Sequence, residues 1–167
     1  MEFTQNDFNE SIELTELIRK IDMMDAPYVN TVTDDIYAKQ PFFLTVLLGY
    51  RLDVSTEELE ELMKIYFLIW EYFKSNQHVQ IRKVNQAYFE KIQTRNLQML
   101  KYSEGELSQK DKLKVFSPDL QNLKSKSLLA AIFFRFNNRL VLSKINVQKK
   151  GLILIGIKSF IECFETI

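Results

Sequence analysis

Residues 55–74, STEELEELMKIYFLIWEYFK, constrain this chain more than any other stretch. Ser55 with Glu58 three positions later is the capping-box spacing, in which serine oxygen and glutamate carboxylate satisfy each other's backbone N–H groups. Glu57, Glu58, Glu60 and Glu61 crowd the first turns, where the helix dipole favours negative charge. Leu59, Leu62, Met63, Tyr66, Ile69, Trp70 and Phe73 follow helical spacing on one face. Ile65, Phe67, Leu68 and Tyr72 fill much of the remainder. A helix apolar on nearly every side has to be enclosed, by the rest of the chain or by a second copy.

One charge interrupts that run. Glu71 stands among aromatics, which suits either a ligand-pairing carboxylate or a residue on a single wet strip with Glu60 and Lys64. The wet strip is the plainer expectation, because carboxylates are rarely buried without a partner. Together with Tyr66, Trp70 and a counter-charge from Arg135, Glu71 would define an aromatic ligand pocket between helices. The plainer expectation for Arg135, inside the run LLAAIFFRF, is a side chain that snorkels to water.

With four glycines and three prolines in 167 residues, turn residues are too scarce for an all-β fold. The chain is expected to form a single all-α domain over residues 1–167. The expected arrangement is a bundle of about six or seven helices with two inner, nearly all-apolar helices at 56–74 and 120–138. One cysteine excludes an internal disulfide, and one histidine excludes multi-histidine metal sites. The longest uncharged apolar run, LILIGI, falls far short of the ~20 residues a membrane helix needs. The acidic, polar start MEFTQNDFNE is no secretory signal. The expectation is a cytoplasmic protein without a membrane partner. No glycine-rich phosphate loop, HExxH, CxxC or calcium loop occurs, so no cofactor, metal or catalytic residue is expected.

Charge is segregated beneath a net of zero. Residues 1–75 hold 15 acids and 6 bases, a balance of −9; residues 108–150 hold 2 acids and 10 bases, a balance of +8. Such a split suits two halves that pack on each other, within one chain or between two. It suits a nucleic-acid surface less well, because the lysines are isolated and lack interleaved aromatics.

Along the chain, helices are predicted from Asn6 to near Asp25, over 28–39, and from Pro41 through an all-apolar segment to about Leu48. A polar turn at 75–78 carries His78, expected to be solvated. One long amphipathic helix follows, from 79 or 80 to 103. Residues 104–116 are expected to be a mobile loop, and Ser117, Pro118 and Asp119 to start the next helix. Residues 140–150 are ambiguous, and 151–165 read as a helix despite Gly151 and Gly156. Cys163 reads as a core thiol. The function expected is a non-enzymatic protein-interaction or oligomerisation module, with a homodimer as its simplest form. A small-molecule binder or enzyme built on the aromatic pocket is the alternative, and weak nucleic-acid binding through 110–150 is a third.

Overall fold

The computed structural model describes residues 4–104 and 122–167, and every regular element among them is helical. In order these are α1 (Gln5–Asp22), α2 (Ala26–Lys39), α3 (Pro41–Gly49), a 3-10 turn (Tyr50–Leu52), α4 (Thr56–Phe73), α5 (Gln77–Ile81), α6 (Gln86–Glu104), α7 (Lys126–Asn138), α8 (Leu140–Ser143) and α9 (Val147–Thr166). The elements are thus more numerous and shorter than expected. The loop and helix start predicted at 105–119 lie outside the described residues.

The helix starts follow local chemistry. Ser55 and Glu58 form the expected capping box, with bonds of 3.2 and 2.8 Å. A second box, Thr4 with Asp7, starts α1 two residues before the predicted Asn6. Asp25 accepts from the Tyr28 amide at 2.9 Å to start α2. Pro41 occupies the first turn of α3, as predicted. The long helix expected from residue 79 is instead broken between α5 and α6. The cause is Gln40, fully buried where α2 meets α3. Its amide donates to the Val79 and Arg82 carbonyls, each at 2.7 Å, and accepts from the Val84 amide at 3.0 Å. Those backbone groups are bound to a side chain rather than to a helical ladder, and Asn85 then caps α6 through the Tyr88 amide.

Residues 65–71 of α4 are buried without interruption. Helices α1, α3, α8 and α9 all pack on it. The second extensively enclosed helix is α9, buried from 156 to 164. By contrast α7 buries one face, through Leu128, Leu129, Ile132 and Phe136, and leaves Phe134 68% exposed. The reason is its position: α7 lies against α1 and α8 on one side of the molecule. Between α4 and α9 sits α3. Phe43 stacks on Tyr66 (centroids 4.6 Å apart) and meets Phe160 and Phe164 edge-on at 4.8 and 5.1 Å. Phe89 of α6 stacks on Phe160 from the far side at 4.2 Å. These rings lock four helices through contacts that favour offset and edge-to-face geometry.

Gly156 belongs to this core. A β-carbon there would lie 2.9 Å from the Tyr50 hydroxyl, which itself sits 3.1 Å from the Tyr66 hydroxyl. Gly156→Ala is therefore expected to destabilise the native chain yet stabilise a Tyr50→Phe background, with a coupling on the order of 1–2 kcal/mol in urea unfolding. Equal effects in both backgrounds would dismiss the contact.

Candidate functional site

The four residues singled out in the sequence do not converge. Tyr66 is fully buried, stacked on Phe43 and bonded to Tyr50. Burial, and then the neighbouring Tyr50, hold its phenol far above the usual range. The Trp70 indole N–H donates to Asp35 Oδ2 at 3.0 Å. Neither ring lines the cavities described below. Glu71 is not on a wet strip: its side chain is 4% exposed, with Lys74 Nζ at 2.7 Å and Lys20 Nζ at 3.8 Å. The Tyr28 hydroxyl donates to it at 3.0 Å, and burial followed by the Glu71 charge raises the Tyr28 phenol. Two lysines and a phenol allow this carboxylate to be enclosed, which the sequence neighbourhood alone did not reveal.

Nor does Arg135 snorkel. Its side chain is 8% exposed, and its Nη2 donates to Asp22 Oδ1 at 2.6 Å and to Glu61 Oε2 at 2.9 Å. Its Nε–H is buried without a hydrogen-bond partner. Arg139 donates to the other Asp22 oxygen at 2.6 Å. Glu61 precedes Glu71 by about 15 Å of helix rise, so the arginine held at Glu61 is separated from Glu71. Burial pushes Asp22 and Glu61 upward, but the hydrogen bonds and charges of Arg135, with Arg139 or Lys64, more than offset it and leave both below the ordinary carboxylate range. These pairs join the acidic first half to the basic second half within one chain.

A second buried polar group joins α6 to α9. Lys158 Nζ donates to Glu162 Oε1 at 2.7 Å and to Asn96 Oδ1 at 2.9 Å. Asn96 donates to Glu162 Oε2 at 2.7 Å and to Ser159 at 3.0 Å, and Arg95 closes on Glu162 at 2.9 Å. The i, i+4 spacing of Lys158 and Glu162 was the available sequence signal. Beside this group Cys163 is buried, and burial and the Glu162 charge push its thiol up to about 12. A thiol so hard to ionise is a core group, as expected.

Two concavities flank α1. One, of about 500 Å³, lies among α1, the end of α4 and the start of α7, and is lined by Glu10, Glu13, Glu71, Tyr72, Lys124 and Glu165 among others. Glu165 accepts from the Ser125 amide at 2.7 Å and so caps α7 from another helix. Tyr72 donates to Glu10. Burial, together with Asp7, Glu13 and Glu165, raises Glu10 above its ordinary value despite an opposing bond from Ser127. The other, of about 490 Å³, is an apolar groove between α1 and α7, walled by Phe8, Leu14, Ile18, Ala130, Ala131 and Phe134. Phe8 is 62% exposed, Ile12 52% and Met23 79%. Single exposed hydrophobics such as Leu52, or Met23 at the end of α1, are ordinary; Phe8 and Ile12 stand one turn apart on α1, with Phe8 on the groove wall.

Among the described residues, no helix is long and apolar enough to cross a membrane, and no group of three or more His, Cys, Asp or Glu could hold a metal ion. His78 is exposed on α5. Compared with protein-family models, curated proteins and solved structures, the chain matches none.

Two outcomes follow from these charges. Arg135→Met should cost about 3 kcal/mol at pH 7, the order expected when one member of a buried ion pair is removed. The two lowered carboxylates contribute stability above their unfolded values and lose it as pH falls through the folded ones. The deficit of the variant should therefore shrink below about pH 4 in urea titrations. A pH-independent deficit would mean that Arg135 acts by packing alone. Conversely, Glu10→Gln should raise the melting temperature at pH 7, because ionised Glu10 is disfavoured in the fold, and the gain should vanish near pH 4, where the native carboxyl protonates.

Proposed function

We propose that the chain is a non-enzymatic protein-interaction module whose docking face is the exposed edge of α1 with the groove beside it. One observation carries this reading: Phe8 and Phe134 remain exposed on the walls of the apolar groove, with Ile12 exposed one turn along α1 from Phe8, while the interior is filled by interlocked rings. Apolar groups rimmed by polar ones favour association. The side chains with chemical potential support the same view. Glu71, Arg135 and the Lys158 and Glu162 pair have ion-pair partners inside the fold, and such pairs serve packing and register more readily than turnover. The self-association expected from the sequence is one form of this module, and a cytoplasmic setting accords with a free, buried thiol.

Native mass spectrometry of the purified full chain, at low and then high salt, tests the reading. The expected result is a protein complex without small-molecule adducts. A monomer that carries a reproducible small-molecule mass would overturn it in favour of a ligand-binding protein.

A further inference from the structure

We infer that α1 is a strap latched onto the fold: it lifts from α4 and α7 as one unit while the other helices stay closed, and Asp22 is its latch. This goes beyond the interaction reading above and does not depend on it.

The apolar hold on α1 is thin. Of its 18 residues only Leu14 and Ile21 are buried, against nine of the 18 in α4. Leu17 and Ile18 are half-buried, and Phe8 and Ile12 are exposed. Cavities of about 500 and 490 Å³ run along its two sides. An interface interrupted in this way forfeits close contacts, and few buried apolar contacts are what give a segment a low free energy of local opening. Leu17 shares one cavity wall with Phe73, and Ile18 shares a third cavity, of about 400 Å³, with Leu68. Those two α4 side chains are buried in the closed form and are what the lifted strap lays bare.

Polar pins supply the rest of the hold. Ser127 donates to the Asp7 carbonyl at 3.3 Å and Tyr72 to Glu10. Lys20 stands 3.8 Å from Glu71 and over the Tyr28 ring. Asp22 accepts from Arg135 and Arg139, each at 2.6 Å. When α1 leaves, the enclosed charges of the body still have partners. Arg135 keeps Glu61 at 2.9 Å, and Glu71 keeps Lys74 at 2.7 Å and the Tyr28 hydroxyl at 3.0 Å. Asp22, already a quarter exposed, passes to water. Lifting therefore costs the pairs themselves but leaves no charge buried alone, which is the expensive case.

The strap is also self-sufficient as a helix. Thr4 and Asp7 cap its first turn from within, and Ser11 and Thr15 donate to carbonyls of their own helix. Glu16 and Lys20 follow the favourable i, i+4 order. Across the link of residues 23–25, Asp25 caps α2 without help from α1. Two independently capped helices joined by a short link part as units rather than unravel.

Native-state amide hydrogen exchange of the full chain, in water and in low urea, is the test. The amides of α1 should share one opening, protected on the order of a hundred-fold less than the interiors of α4 and α9 and with a smaller urea dependence. Asp22→Asn weakens a contact present only in the closed form, so it should lower the protection of α1, α4 and α9 alike, by about ten-fold. Phe89→Leu trims a ring stack on Phe160 that survives the lifting of α1. It should lower the protection of α4 and α9 roughly ten-fold and leave that of α1 unchanged. If α1 is as protected as α4 and falls with it in Phe89→Leu, the helix opens only with the whole fold. If protection climbs residue by residue from Gln5 without a common urea dependence, the helix frays rather than lifts. Either result overturns the inference.

Discussion

Enclosing α4 is the constraint on which the other packing choices depend. Seven consecutive residues, 65–71, are shielded from water, and no single neighbour can cover a helix all the way round. Four helices pack on it, α3 with only nine residues, set off from α2 by the non-helical Gln40 and started by Pro41. Short helices gain little from their own hydrogen bonding. Their stability comes from what they press against, which is why Phe43 is wedged among Tyr66, Phe160 and Phe164. Helices of the outer layer, α1 and α7, need only one apolar face each to complete the enclosure. Apolar residues on their remaining edges, such as Phe8 and Phe134, lie outside this core.

Polar groups then select among packings that the apolar residues alone would tolerate. Gln40 holds the α5 and α6 junction by three bonds to backbone groups. Arg135 draws α1, α4 and α7 to one point, and the Lys158 cluster sets α6 against α9. Apolar contact is non-directional, so a helix can slide by a turn at modest cost; a buried charge that loses its partner costs several kcal/mol. Each cluster is thus a register pin between elements distant in sequence.

That distance decides what could be read from the chain. Interactions spanning three or four residues were legible: the Ser55 capping box, Pro41 as a first-turn residue, the helical reading of 151–165, and the all-helical class itself. Interactions spanning the chain were not. Glu71 looked like a solvent residue because Tyr28 and Lys20 are more than forty positions away, and Arg135 looked unpartnered because Asp22 and Glu61 lie on other helices. Residues 82–85 scan as amphipathic helix, yet one glutamine at the junction of α2 and α3 claims the Arg82 carbonyl and the Val84 amide. Of the proposed site, Tyr66 and Trp70 were correctly apolar, but an aromatic list cannot distinguish rings that line a pocket from rings that fill one another.

Segregated charge links the interior to the exterior. Among the described residues, Arg135 and Arg139 meet Asp22 and Glu61, so the basic half neutralises the acidic half where α1 ends. The same pairing uses up the one acid of the last turn of α1, while Lys20 of that turn turns to Glu71 on α4. At the other end Asp7 is committed to its own helix start through Thr4, while Glu13 and Glu16 face outward. Internal pairing thereby commits most charges of α1 to its own chain: Asp7 to Thr4, Glu10 to Tyr72, Lys20 to Glu71 and Asp22 to Arg135 and Arg139. The exposed charges that remain, Glu13, Glu16 and Arg19, add little to the stability of the chain, since exposed charges interact weakly through water. What those committed charges fix is how α1 sits against α4 and α7, since a charge enclosed with its partner is costly to separate from it.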